Sequence, residues 1–102
     1  EMATDLFRVC QEALANVAHH AHAHAAEVRI AQVEGELRLS IADDGVGFDP
    51  ASARSPTRLG LINMRERAVK WNGTMRIESR PRLGTTVIVV FYVNKTRASV
   101  SE

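Results

Sequence analysis

The chain has 102 residues, 45% of them hydrophobic and 25% charged, with 13 basic and 12 acidic side chains and a formal net charge of +1. That allows one small domain, which should bury roughly two-thirds of the surface its unfolded chain exposes. The near balance of charge gives no electrostatic case for nucleic acid or a membrane surface, and no apolar run approaches the roughly 18 residues that span a bilayer.

Residues 2–21 carry helical periodicity: Leu6, Val9, Cys10, Ala13, Leu14 and Val17 recur at spacings of three and four. Glu12, Asn16 and His20 are four apart and stack along successive turns, with His19 on the same side. Thr4 or Asp5 is placed to cap or acidify the start. Cys10 is the only cysteine, so there is no internal disulfide, and it falls on the apolar face as a core residue. A lone cysteine fits a reducing compartment. There is no signal-peptide pattern. The first residues already read as helix, which suggests a fragment of a longer protein.

Residues 27–33 and 36–42 alternate, with Val28 and Ile30, then Leu37, Leu39 and Ile41, each on one face. Glu34-Gly35 between them makes a β-hairpin. Residues 49–59, rich in Pro, Ser, Ala and Arg, predict an irregular, mobile loop. A second helix is expected over 60–71, with Leu61, Met64, Ala68 and Trp71 inward, stopped by Asn72-Gly73. Residues 74–79 and 85–93 read as strands, the last one apolar enough to predict a central position buried on both faces. The order α, β, β, loop, α, β, β predicts an α+β two-layer sandwich, with helices on one face of a mixed, mostly antiparallel sheet. Residues 1–93 form the domain and 94–102 a polar, frayed tail.

Three stretches offer chemistry. In QEALANVAHHAHA (11–23), a carboxylate and a carboxamide one turn apart suit a hard cation such as Mg²⁺; a solvated helix face is the plain alternative. In DDGVGF (43–48), an Asp before two spaced glycines could accept from an exocyclic amine and let a flat ligand approach; a simple turn is the alternative. Gly60 stands where a loop enters a helix, with Arg54 and Arg58 before it, and free helix N–H groups suit phosphate. An ordinary N-cap glycine with two solvated arginines would look the same.

Taken together, QEALANVAHHA, DDGVGF, GLINMRERA and GTTVIVVF, in that order, resemble the ATP-binding catalytic domain of sensor histidine kinases. The match is to the family typified by nitrate/nitrite sensors, which signal to response regulators of the LuxR/NarL type. The resemblance covers about residues 5 to 93. It implies the ATP-binding sandwich shared with gyrase, Hsp90 and MutL, with ATP and Mg²⁺ as cofactors. Asn16 matches the Mg²⁺-binding asparagine of the N box, and Glu12 the glutamate one turn earlier; the two are the implied catalytic and metal residues. Asp43 matches the aspartate that accepts from the adenine amino group, Gly45 and Gly47 the glycines beside the purine, and Thr85 a threonine that reaches adenine. Gly60 and Leu61 match the junction near the phosphates, to which His19, His20 and Arg58 add contacts.

The implied reaction transfers the γ-phosphate of ATP to a histidine on a separate dimerisation domain, for onward transfer to a response regulator. No acceptor segment precedes the N box, so this chain should bind ATP without phosphorylating itself. It should be a monomer cut from a homodimeric parent, and a cytoplasmic domain even where that parent is membrane-anchored. The chain departs from the family at His19, usually Lys or Arg, at Asp44, commonly Asn, at Arg58, often Gly, and at Asn72, often Gly. Two alternatives remain: another ATPase or serine kinase of the same fold, or a degenerate, non-catalytic module.

The run HHAHAH (19–24) then divides. His19 and His20 end the N box, while His22 and His24 fall in the exposed turn toward the first strand.

Overall fold

A computed structural model describes residues 1–47, 58–80 and 82–92, apart from the side chain of His20. The tail over 94–102 and residues 49–57 of the expected loop lie outside the described residues. Arg58 and Leu59, expected in that loop, are the first residues of a helix.

The elements are α1 (Met2–Asn16), a π-helical extension η1 (Val17–Ala21), β1 (Ala26–Val33), β2 (Glu36–Asp43), α2 (Arg58–Lys70), β3 (Thr74–Ser79) and β4 (Thr85–Tyr92). The strands form one sheet in the order β1-β2-β4-β3, with all three pairings antiparallel. Where a mixed sheet was expected, the described pairings are antiparallel throughout, because each strand meets its neighbour through a hairpin or an antiparallel return.

The start of α1 is capped by neither Thr4 nor Asp5. The Glu1 side chain is the cap, accepting from Thr4 N at 2.8 Å. Asp5 lies four and eight residues before Val9 and Ala13, so it shares their face and turns inward with them. Beyond Asn16 the helix widens into π geometry and stops at His22, which has left-handed backbone (φ 51°). Isolated π turns are frequently found at functional sites. At the end of α2 the left-handed position is Asn72 (φ 58°), with Gly73 N donating back to Ala68 O at 2.7 Å. Asn tolerates that backbone better than other side chains do. Gly73 follows because a β-carbon there would strike the carbonyl of Val90.

Both helices lie on one face of the sheet. The antiparallel register stacks the covered face in rows: Ile41, Val87 and Ile77, then Leu39, Val89 and Met75, then Leu37 and Phe91. With Val9 and Ala13 from α1 and Leu61, Met64 and Ala68 from α2, the buried members Ile41, Val87, Leu39, Val89 and Phe91 form the core, and the half-buried Ile77, Met75 and Leu37 pack against it. Each fully buried Leu, Ile or Phe contributes about 1.5–3 kcal/mol of apolar transfer. Trp71 leans against this core and stacks on Phe91, with ring centroids 6.4 Å apart.

Two expectations about burial change. β4 is central in the sheet, but only Thr85, Val87, Val89 and Phe91 are buried; Thr86, Ile88 and Val90 on its other face are half-exposed. A two-layer fold leaves that face to solvent, where Glu36–Arg38 and Arg76–Glu78 pair along their strands. β1 shows the opposite departure. Val28 and Ile30 sit beside Ile41 and Leu39 on the helix-side face, yet they are 39% and 60% exposed. Among the described residues no helix reaches over this edge strand.

Candidate functional site

The ends of β2, β4 and β3 place Asp43, Thr85 and Ser79 in one row, since Asp43 is paired with Thr85 and Thr85 with Ser79. Alternation puts this row on the covered face, one step beyond the core row of Ile41, Val87 and Ile77. Thr85 is buried, and its hydroxyl lies 2.7 Å from that of Ser79. Asp43 is half-buried; its Oδ1 accepts from Gly45 N at 2.8 Å, which bends the chain into the turn that follows. No other donor among the described residues reaches this carboxylate. It therefore keeps acceptor capacity for a ligand.

Gly45 and Gly47 hold the turn against the rest of the protein. A β-carbon on Gly45 would strike the carbonyl of Ala21, the last residue of η1, and Val46 N donates to that same oxygen at 2.8 Å. Gly47 has φ 66°, and a β-carbon there would strike the carbonyl of Arg80. These contacts weld the turn to the end of the first helix on one side and to the β3–β4 connection on the other.

Asp44, where the family commonly has Asn, serves the backbone. It does not face the row of Asp43 and Thr85. Its Oδ1 accepts from the backbone of His24 at 2.8 Å and of Ala25 at 3.0 Å, closing the passage from η1 into β1. The N–H groups of Ala25 and His24 hold its carboxyl below the ordinary aspartate range.

From Ala21 the first helix runs back through Asn16 to Glu12. Glu12 and Ala21 are nine positions apart along it. At the far end Glu12 meets the start of α2: a β-carbon on Gly60 would lie 2.6 Å from Glu12 Oε2. A carboxylate at a helix N-terminus is favoured by the free N–H groups and the dipole. Glu12 and Asn16 are half-buried and one turn apart, and their oxygens are the donor set that a Mg²⁺ ion shared with phosphate would use. The donors therefore fit a hard cation.

Leu61 is buried in the core, so only its backbone can take part. Arg58 and His19 are exposed. His22 and His24 are exposed as expected, and among the described residues no three His, Cys, Asp or Glu side chains converge on a metal position.

Sequence reasoning missed two residues. Ser79 becomes visible only once β3 and β4 are in register. Asp5 is 4% exposed and is the most buried charge described. It accepts from Arg67 Nη1 at 2.9 Å, Trp71 Nε1 at 2.8 Å and Lys70 Nζ at 2.9 Å. Its position on the apolar face of α1 was the available signal.

The Lys70 ammonium and the Trp71 indole N–H hold the Asp5 carboxyl at about 2, below its ordinary 3.8. A lowered carboxyl stabilises the fold above its unfolded value and ceases to do so as pH falls through the folded one. Asp5→Asn should therefore be less stable than wild type by about 1–3 kcal/mol at pH 7. That gap should narrow between pH 4 and pH 2. Thermal melts of both proteins across this range check it; a gap independent of pH would refute it.

This geometry can be set beside known proteins. Residues 1–95 match the family model described as "Histidine kinase-, DNA gyrase B-, and HSP90-like ATPase". The chain belongs to that ATPase family. Within it, the likeness is to the ATP-binding module of sensor histidine kinases. It is 35% identical over 98 residues to the nitrate/nitrite sensor protein NarX of Escherichia coli (strain K12), covering 96% of this chain and 16% of NarX. It is 39% identical over 87 residues to the oxygen sensor histidine kinase NreB of Staphylococcus carnosus (strain TM300), covering 85% of this chain and 25% of NreB. The chain thus spans a quarter or less of these two relatives. The histidine kinase domain of the Erythrobacter litoralis EL346 blue-light activated histidine kinase has the same fold. It superposes with a TM-score of 0.76 at 19% identity, covering 99% of this chain and 49% of that one.

Proposed function

We propose that this chain binds Mg-ATP and presents the γ-phosphate to a histidine on a separate dimerisation domain of its parent. The carrying observation is the pairing of Asp43 with Thr85 on the covered face, beside a helix that runs from the Gly45 turn to the start of α2. Asp43 accepts from the adenine amino group, and Thr85, backed by Ser79, supplies a hydroxyl to the ring. Gly45 and Gly47 keep the turn close beside the base. The triphosphate follows the Asn16–Glu12 face toward the first turn of α2 at Gly60 and Leu61, with His19 and Arg58 adding polar or charged groups.

Glu12 and Asn16 would hold Mg²⁺, which neutralises phosphate charge when bound. In the transfer, the acceptor imidazole nitrogen forms a bond to the γ-phosphorus while the bond to the bridging oxygen breaks, leaving ADP. Catalysis of this kind is positioning and charge stabilisation, so the domain needs no nucleophile of its own. Residues 1–93 act as the ATP-binding unit. The phosphoryl group then passes to a response regulator of the LuxR/NarL type. The parent works as a homodimer with this domain in the cytoplasm, and the isolated chain is a monomer. No described helix is long and apolar enough to cross a membrane.

Calorimetry with a non-hydrolysable ATP analogue and Mg²⁺ tests the reading. Binding is expected, and GTP should compete poorly because its ring offers a carbonyl where adenine offers an amine. Absence of binding by the folded chain would refute the proposal. Steady ATP turnover by the chain alone would instead indicate a self-contained ATPase.

A further inference from the structure

The two helices that flank the phosphate end of the site touch at two polar points. Glu12 of α1 meets Gly60 at the start of α2. Seven residues before Glu12 on α1, Asp5 meets Arg67, which lies seven residues after Gly60 on α2. Seven residues are about two turns, or roughly 10 Å of axis. The helices are thus antiparallel, and equal lengths of helix separate the two contacts.

The contacts between these points are apolar: Val9 and Ala13 against Leu61, Met64 and Ala68. Apolar burial is non-directional and tolerates small slides. The Asp5 contact does not. Its carboxylate is buried, and the described donors that face it come from the last turn of α2, Arg67 and Lys70, and from Trp71 just after it. Displacing α2 along α1 would strand a buried charge without donors, which is costly. Trp71 in turn is anchored to β4, since Tyr92 N donates to its carbonyl at 3.1 Å and its ring stacks on Phe91.

We propose that Asp5 is a positioning residue for the nucleotide's phosphates. By fixing where α2 sits on α1, it sets the first turn of α2 over Glu12 and Asn16. Asp5 itself touches no ligand. The proposal rests on the Mg-ATP reading above.

The test compares two ligands on the whole chain: an ATP analogue with Mg²⁺, and adenosine, which engages the Asp43 end alone. Asp5→Asn keeps the side-chain volume and loses the charge. Its affinity for the ATP analogue should fall about tenfold, the scale of a small misplacement of binding groups, while its affinity for adenosine stays unchanged. Trp71→Phe removes one donor and should move the same ratio in the same direction by less; it also decides the matter if Asp5→Asn does not fold. Circular dichroism establishes that each variant compared is folded at the measuring temperature.

Trp71 is the only tryptophan, so its emission reads the clamp directly. It should respond to the ATP analogue and not to adenosine. Equal loss for both ligands, or an unchanged ratio in the folded variants, would overturn the positioning role while leaving the nucleotide reading intact. A wild-type chain that binds neither ligand would overturn both.

Discussion

Gly47→Ala is expected to lower the thermal midpoint by on the order of 10–20 °C, corresponding to roughly 3 kcal/mol in a domain of this size. Two costs add. The residue has φ 66°, where an L side chain costs about 1–2 kcal/mol. The new β-carbon would also overlap the carbonyl of Arg80, with Arg80 C at 2.8 Å and Gly84 O at 3.1 Å. Overpacking against backbone typically costs about 1–3 kcal/mol, and here the backbone has little freedom to retreat. Arg80 O accepts from Leu83 N at 3.0 Å, and Arg82 N donates to Val46 O. Gly35 separates the two costs, because it has φ 77° and nothing within 4 Å of its would-be β-carbon. Gly35→Ala should show the strain alone. Calorimetric melts of the two variants check this: equal losses would mean that the clash at Arg80 is absent.

Asp43→Asn should weaken binding of the Mg-ATP analogue by about 10- to 150-fold and leave the melting temperature within a few degrees of wild type. The asymmetry comes from the two jobs of this side chain. Its Oδ1 accepts from Gly45 N at 2.8 Å, and an asparagine carbonyl can do the same. Its other oxygen would become an amide that faces the adenine amino group donor to donor. A hydrogen bond to a charged group is worth about 1.5–3 kcal/mol, which is the quoted range in affinity. Calorimetric titration and a thermal melt on the same sample separate the two effects. Unchanged affinity would remove Asp43 from the site, and a large drop in melting temperature would show that its structural bond to Gly45 dominates.

Much of the fold was legible because it is written in local periods. The alternation of Leu37, Leu39 and Ile41 locates the covered face of β2, and the spacing of Leu61, Met64 and Ala68 locates that of α2. The same period drew Val28 and Ile30 inward, but alternation says only which face a residue shares, and β1 lies beyond the reach of both helices. The candidate site was legible as a set of motifs, with their partners missing. Asp44, beside Asp43 in sequence, turns its carboxylate to the backbone of residues 24 and 25, some 20 positions away. Gly45 and Gly47 were read toward a ligand, and the contacts now visible are with Ala21 and Arg80.

The sequence by itself determined the element types, their order and the ATPase family, since helix and strand periods and motif spacing are properties of consecutive residues. Only the tertiary structure decided that Asp43, Thr85 and Ser79 form one row, that Glu12 lies against Gly60, and that Asp5 is clamped by residues 62 and 66 positions away. Such contacts depend on strand register and on how one helix sits along another. Those are set by the packing of the whole core, which no local pattern encodes.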